Sequence, residues 1–186
     1  MSRSALNTAP SEPCPIDVRI KWPNDVYAGG KKLGGVLCGS SFASGSFLVT
    51  VGVGLNVSND APTTCVDTLI AAAAAAVGRA PPPRVTRETL LASFLTRFEA
   101  LEGVFSAAGF APLQPAYLAA WLHTGQVVSV EEEEEGVSGG DGGAPPRRQV
   151  TITGLAPSGY LRGVDALGVA CELHPDGNSL DWFRGA

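Results

Sequence analysis

Basic charge is scarce in this chain. Thirteen Lys and Arg stand against 18 Asp and Glu, for a formal net charge of -5 over 186 residues. No overall positive field is therefore available to hold nucleic acid, although a local positive site for a small anion is compatible with that balance. Cysteine is sparse as well. Cys14, Cys38, Cys65 and Cys171 lie far apart in sequence, which excludes the spacing of a zinc knuckle or a redox pair, and no metal-ligating cluster is suggested. A reduced protein with free thiols is the simpler expectation. No apolar run approaches the roughly 20 residues that cross a bilayer. The alanine run at 71–76 is far shorter, and ordinary helix-forming sequence flanks it. Residues 1–15 contain Pro10, Pro13, Pro15 and Glu12 and lack the apolar core of a secretory signal, so they read as a flexible start. What the chain does have is 45% hydrophobic residues, enough for one mid-sized domain or for a partial domain followed by a small one.

Three strands are expected near the start. Val18, Ile20 and Trp22 alternate with Arg19 and Lys21, the period of a half-buried strand. Pro23 ends it because proline cannot donate to a sheet ladder. Asn24-Asp25 suits a turn and Gly29-Gly30 a second one. Lys32–Phe42 and Phe47–Val57 read as two further strands around a hairpin break at Ser44-Gly45-Ser46, completing a three-stranded antiparallel meander within a larger sheet. Helices are expected next. Thr68–Val77 is alanine-rich and stops at Gly78. After Pro81-Pro82-Pro83, Thr86 can cap a helix in which Leu90, Leu91, Phe94, Leu95, Phe98, Leu101, Val104 and Phe105 recur at three- and four-residue spacing. That spacing gives about five turns with one apolar face to bury. A shorter helical piece falls near Tyr117–Leu122. Beyond His123 the spacing shortens to strands at Gln126–Glu132, Gln149–Leu155, Tyr160–Val164 and Gly168–Leu173, the pattern of a small β-barrel. Residues 131–148 between the first two, rich in Glu, Gly and Pro, read as a disordered hairpin insertion. The domain expectation is thus 1–15, 16–123 and 124–186.

Chemistry concentrates between Lys21 and Gly35. Lys32 opens a strand beside glycines, and its ammonium suits carboxylate or phosphate oxygens. Set between two such groups, it would stabilise negative charge shifting from one to the other. Gly34 and Gly35 would let a ligand lie against the strand backbone. Asp25 could orient or deprotonate an incoming amine. Asn56, after Gly52-Val53-Gly54-Leu55, offers a carboxamide that matches a purine edge. Each residue has a plainer reading. Lys31 and Lys32 would be exposed lysines opening a strand, Asn24-Asp25 an Asx turn, Gly52 and Gly54 marks of close sheet packing, and Trp22 a core residue. Their joint order, not any single one, favours the functional reading.

That order, Lys21-Trp22-Pro23-Asn24-Asp25, then Lys32-Leu33-Gly34-Gly35-Val36-Leu37, then Val51-Gly52-Val53-Gly54-Leu55-Asn56-Val57, resembles the biotin protein ligase (holocarboxylase synthetase) family. The resemblance continues through the helix near Thr86–Phe110, Trp121-Leu122-His123-Thr124-Gly125-Gln126, Ser158-Gly159-Tyr160-Leu161 and the stretch from Leu173 to Asp181. The last two are similar to the plant-type enzymes, and residues 16–186 are covered in all. The resemblance implies an α+β fold: a partial class II synthetase-like mixed sheet with packing helices, followed by an SH3-like domain. It implies an ATP-dependent enzyme that makes biotinyl-5′-adenylate and passes biotin to a lysine of a biotin carboxyl carrier protein or carboxylase carrier domain, with Mg2+ expected. Lys32 would contact the biotin carboxyl and the adenylate phosphate, and Gly34 and Gly35 would wall the biotin pocket. Asp25 would lie near the attacking lysine, Asn24 and Lys21 would support the turn, and Asn56 would face adenine. The family's Gly-Arg-Gly-Arg-Arg-Gly loop is not among these 186 residues, so the chain is expected to be a fragment with little activity alone. A non-catalytic carrier-docking module and a lipoate–protein ligase are the alternatives. The expected compartment is the cytosol, with chloroplast and mitochondrion as alternatives.

Overall fold

A computed structural model describes residues 16–59, 62–131 and 147–174. The flexible start, nearly all of the acidic insertion and the stretch from 175 to 186 lie outside the described residues. The α+β class expected from the sequence is what is seen, with two antiparallel sheets and three helices among the described residues. These fall into two compact units. One holds the described residues up to Ile20 together with Asn24–Leu113; the other holds Lys21–Pro23 together with the described residues from Gln114 onward.

The first sheet runs in the order β1 (Val18–Lys21), β2 (Asp25–Ala28), β3 (Lys31–Ala43), β4 (Ser46–Leu55). The segment between the two expected turns is thus a strand in its own right, making four strands where the sequence reading gives three. Its four residues pair with the start of β3, from Asp25 opposite Gly35 to Ala28 opposite Lys31. The register slips between Val26 and Tyr27, so Leu33 has no direct opposite. This bulge turns Leu33 inward, where it is buried beside Ala28. The β3–β4 hairpin closes on Ser44 and Gly45, both at positive φ (53° and 78°). A two-residue loop of that kind matches the twist of the strands.

Helix α1 (Val66–Ala76) is tied to the end of β4 by the Val66 and Asp67 amides, which donate to the carbonyls of Asn56 and Val57. Helix α2 (Arg87–Ala108) begins as expected. The Thr86 hydroxyl accepts from the Thr89 amide at 3.2 Å, and Gly109, at φ 69°, ends it. The expectation that its apolar face is buried fails. No residue of α2 is buried, and Leu91, Leu95, Leu101 and Phe105 are each more than half exposed. The hairpin is similarly bare. All ten β4 residues are exposed, and Leu37, Phe47 and Leu48 reach 70% or more. The cause is local: only residues near the sheet's first turn, such as Ala28, Leu33, Val57 and Cys65, find neighbours enough to be buried.

The second unit is better packed. Helix α3 (Gln114–Ala120) leads to β5 (Val127–Glu131), β6 (Arg147–Leu155), β7 (Leu161–Asp165) and β8 (Ala170–Leu173), each antiparallel to the next. The strands fall close to their expected positions. They form a four-stranded sheet in chain order; among the described residues no β5–β8 pairing closes it into the expected barrel. Alternation along β6 sends Val150 and Ile152 inward, to pack with Val128, Leu161 and Leu173. Trp22, Trp121 and His123 are buried in the same unit. No helix among the described residues is long and apolar enough to cross a membrane.

Two predictions follow from this division. The outer edge of β4 is unpaired among the described strands, and no Lys, Arg, Asp or Glu occurs from residue 33 to residue 59. Such an edge is a template for pairing with another copy. Val49→Lys should lower the light-scattering mass of the chain at fixed concentration without changing its circular dichroism. The second concerns His123, whose ring burial holds below its ordinary 6.5; its bond with Gln126 acts in the opposite direction, and nearby Lys21 adds to the lowering. Below pH 6.5 the unfolded chain then binds the proton first. The contribution of this residue is complete above that pH and is lost as pH falls towards the folded value. The urea midpoint read from tryptophan fluorescence should drop over that window, and His123→Gln should remove that part of the pH dependence.

Candidate active site

The turn between β1 and β2 brings four of the proposed residues together. Pro23, joined to Trp22 by a cis peptide bond, delivers the chain to Asn24. The Asn24 carbonyl accepts from the Val36 amide at 2.7 Å. That bond fixes the turn against β3, so Asp25 opposes Gly35. The Asp25 carboxylate then meets the Lys32 ammonium at 2.6 Å, with the two side chains 29% and 47% exposed. The hydrogen bond with Asp25 holds the Lys32 amine above its ordinary 10.5, against the pull of desolvation. Lys32 is therefore a full cation, paired yet reachable from solvent.

The two glycines earn their place by a different route from the one expected. A side chain at Gly35 would sit 3.2 Å from Asp25 Oδ1 and 3.4 Å from the Asn24 carbonyl oxygen. A side chain at Gly34 would run into the Gly54 carbonyl and the Leu55 side chain. The space left at both positions is thus taken by the chain itself: by the ion pair's own turn at Gly35 and by β4 at Gly34. A Cβ at Gly35 would press on Asp25, which would have to give by a few tenths of an ångström.

Asn56 lies next to this group through the backbone. Its amide donates to the Leu33 carbonyl at 2.9 Å, and its carboxamide nitrogen donates to Thr63 Oγ1 at 2.9 Å. The Thr64 amide donates to the Lys32 carbonyl at 3.3 Å. The loop carrying Thr63 and Thr64 therefore braces both Lys32 and Asn56. Sequence reasoning missed it, since two adjacent threonines in a loop carry no chemical signature. Lys21 belongs to the second unit instead, near enough to His123 to disfavour its protonation.

Chemically, the arrangement offers one accessible cation for an anionic ligand and one carboxylate able to receive or orient an amine. Magnesium does not fit as a protein-held ion. Among the described residues no three His, Cys, Asp or Glu side chains gather as ligands, and the turn's carboxylate, Asp25, is occupied by Lys32.

Comparison with known proteins agrees with the geometry. Residues 1–56 match the biotin/lipoate A/B protein ligase family. The chain is 44% identical over 170 residues to biotin–protein ligase 2 of Arabidopsis thaliana, covering 91% of this chain and 48% of that protein. To the Homo sapiens biotin–protein ligase it is 34% identical, over 91% of this chain and 22% of that protein. The chain thus spans about half the length of the plant relative and less of the human one. The apo structure of biotin protein ligase from Aquifex aeolicus shares the fold, with a TM-score of 0.55 at 22% identity over 84% of this chain and 62% of that one. The same enzyme in complex with biotin and ATP gives a TM-score of 0.53 at 22% identity over 84% and 58%. The chain is thus similar, over nearly all of its own length, to part of these curated biotin–protein ligases.

Proposed function

We propose that this chain is the portion of a biotin–protein ligase that handles the carboxyl–phosphate junction, in an enzyme joining biotin to a lysine of a carboxylase carrier domain at the expense of ATP. The observation that carries the reading is the exposed Lys32 cation, held 2.6 Å from Asp25 at the turn between β1 and β2. In the first step a biotin carboxylate oxygen attacks the α-phosphorus of ATP. The bond to the β-phosphate breaks, and pyrophosphate leaves with the electron pair. Negative charge gathers on the oxygens around phosphorus, and Lys32 stabilises it there. In the second step the amine of the carrier lysine attacks the biotinyl carbonyl carbon, AMP departs, and the amine loses a proton. Asp25 orients that amine and receives the proton.

Asn56 supports the adenine side of the same reading, with one N–H spent on Thr63 and its oxygen left to accept. Gly34 keeps β3 flush against β4 at the pocket wall, Asn24 anchors the turn, and Lys21 enters from the strand before it. Any magnesium would travel on the nucleotide phosphates, and no step is assigned to it. The carrier is a carboxylase domain presenting one lysine. We place the activity in the cytosol or a biotin-using organelle; one relative, biotin–protein ligase 1 of Arabidopsis thaliana, is named as chloroplastic.

Two substitutions test these roles in a biotin–protein ligase that carries this sequence. Lys32→Ala should slow biotin-dependent exchange of pyrophosphate into ATP by about 10²–10³-fold, the scale for losing one preorganised stabilising group. An unchanged exchange rate removes Lys32 from the reaction. Asp25→Asn should leave exchange far less affected and slow transfer to the carrier lysine by about 10²-fold, the scale of general-base assistance. Equal losses in both steps would assign Asp25 to holding Lys32 alone. For the 186-residue chain by itself, binding of an apo-carrier domain without exchange would favour the docking-module reading.

A further inference from the structure

Asn56, in the first unit, has little backbone freedom. Its amide donates to the Leu33 carbonyl at 2.9 Å, and its own carbonyl accepts from the Val66 amide at 3.0 Å, where α1 begins. The bond to Leu33 carries the β3–β4 ladder one residue past Leu55. What remains to be set is the side chain, a planar carboxamide with an acceptor on one branch and two donors on the other. Its orientation decides which of these a ligand meets.

Thr63, also in the first unit, supplies that constraint. Its Oγ1 accepts from Asn56 Nδ2 at 2.9 Å, so the nitrogen branch is turned to the loop. The other branch, Oδ1, has no partner among the described residues and is not buried. Thr63 is itself anchored through its neighbour. Thr64 is buried, and its amide donates to the Lys32 carbonyl at 3.3 Å. Cys65, buried in turn, leads directly into α1. The strand before Asn56 is bare. Gly54 stands opposite Gly35, and a Cβ on it would meet nothing within 4 Å. Alternation along the ladder puts Asn56 on the side of Gly54, so open space lies beside the carboxamide.

We infer that Thr63 is a positioning residue for Asn56, holding the carboxamide so that Oδ1 is the atom offered to a purine ring. The site then selects a purine with an amino group, as in adenine, over one with an oxo group at the same ring position, as in hypoxanthine. The amino group donates and the oxo group only accepts, so a fixed acceptor takes the first and repels the second. Without the Thr63 bond the carboxamide turns over at little cost and offers an N–H instead, which suits the oxo group equally well. The inference rests on the proposed reading of Asn56 as the adenine-side residue. It assigns Thr63 no contact with the ligand; its part is to fix one carboxamide orientation before the nucleotide arrives.

The test has one readout without ligand and one with it. In the 186-residue chain, the Asn56 Nδ2 proton bonded to Thr63 should exchange slowly with water, as read by nuclear magnetic resonance. Thr63→Val, which keeps the shape and lacks the acceptor, should speed that exchange about tenfold, the scale of one lost hydrogen bond, and Thr63→Ser should restore it. Unchanged exchange in Thr63→Val overturns the inference. In a biotin–protein ligase that carries this sequence, biotin-dependent pyrophosphate exchange is then compared with ATP and with inosine triphosphate. The ratio of kcat/KM for the two should fall about tenfold in Thr63→Val and recover in Thr63→Ser. Asn56→Ala separates the causes. If it lowers the ratio and Thr63→Val does not, the inference alone is overturned. If Asn56→Ala leaves the ratio unchanged, the adenine-side reading of Asn56 fails and takes the inference with it. Should Thr63→Val also free the Val66 amide, the Asn56→Asp background decides, because a carboxylate has an oxygen on either branch. Thr63→Val should leave the ratio unmoved in that background; a further fall overturns the inference.

Discussion

A buried tryptophan with two donors must find two acceptors, and Trp22 finds both in the second unit. Leaving either donor unmet would cost about 1–3 kcal/mol in so dry a place. The requirement is more than local because of where the residue sits in the chain. Arg19 and Ile20 precede it in the first sheet, and Asn24 follows it one proline later. A strand, a buried tryptophan and a turn are thus consecutive in the chain. The Val36 amide holds the Asn24 carbonyl from β3, and the Trp22 clamp holds the residues just before. Within the first unit, the bond from the Val36 amide to the Asn24 carbonyl restrains the residue just before Asp25.

The two units divide structural tasks unequally. In the second, strand alternation is satisfied in the ordinary way: Val150 and Ile152 are buried, and Thr151 between them is exposed. In the first, the β3–β4 hairpin and α2 carry the sequence patterns of buried elements yet stay exposed. A continuous apolar face on a 22-residue helix and a hairpin without charge beyond Lys32 have no local reason to exist in water. The chain covers 48% of the length of biotin–protein ligase 2 of Arabidopsis thaliana. Burial in the first unit is confined to the neighbourhood of the turn, and there the ion pair forms.

Much of this was legible in the sequence, and the failures have physical causes. Thr86 announces the start of α2 because capping depends on the immediate neighbours alone. The two-residue hairpin at Ser44-Gly45 was visible for the same reason. Strand β2 was missed because four residues between two turns are too few to show alternation, and it exists only by pairing with β3. The apolar face of α2 was read correctly as a pattern, but whether a face is covered is a property of what surrounds it. At the turn, Asp25 and Lys32 were legible as chemistry and not as a pair: their contact depends on the bulge at Leu33 and on Gly35 having no side chain. The glycines were assigned to a ligand, whereas the chain's own atoms take the space. His123 could have been suspected from its polarity within Trp121-Leu122-His123, but only three dimensions reveal that its acceptor faces Trp22.

The ion pair itself contributes little to holding the fold. A pair this exposed is worth at most about 1 kcal/mol, since water solvates both partners nearly as well. Its low cost of separation is what makes it useful under the proposed reading. Under that reading an arriving carboxylate or phosphate would draw Lys32 away from Asp25 while the bond from the Val36 amide to the Asn24 carbonyl still held the turn. Under the same reading, a Lys32 engaged by an adenylate would leave Asp25 without its counter-ion and open to the next cation to approach, such as a protonated lysine on a carrier. One displacement would then order the two half-reactions: the carboxylate is uncovered for the amine only after the anion that the amine must attack is in place. The pair works as an interlock only while it is weak and its scaffold is strong, and that division of labour is why the restraints lie in the backbone.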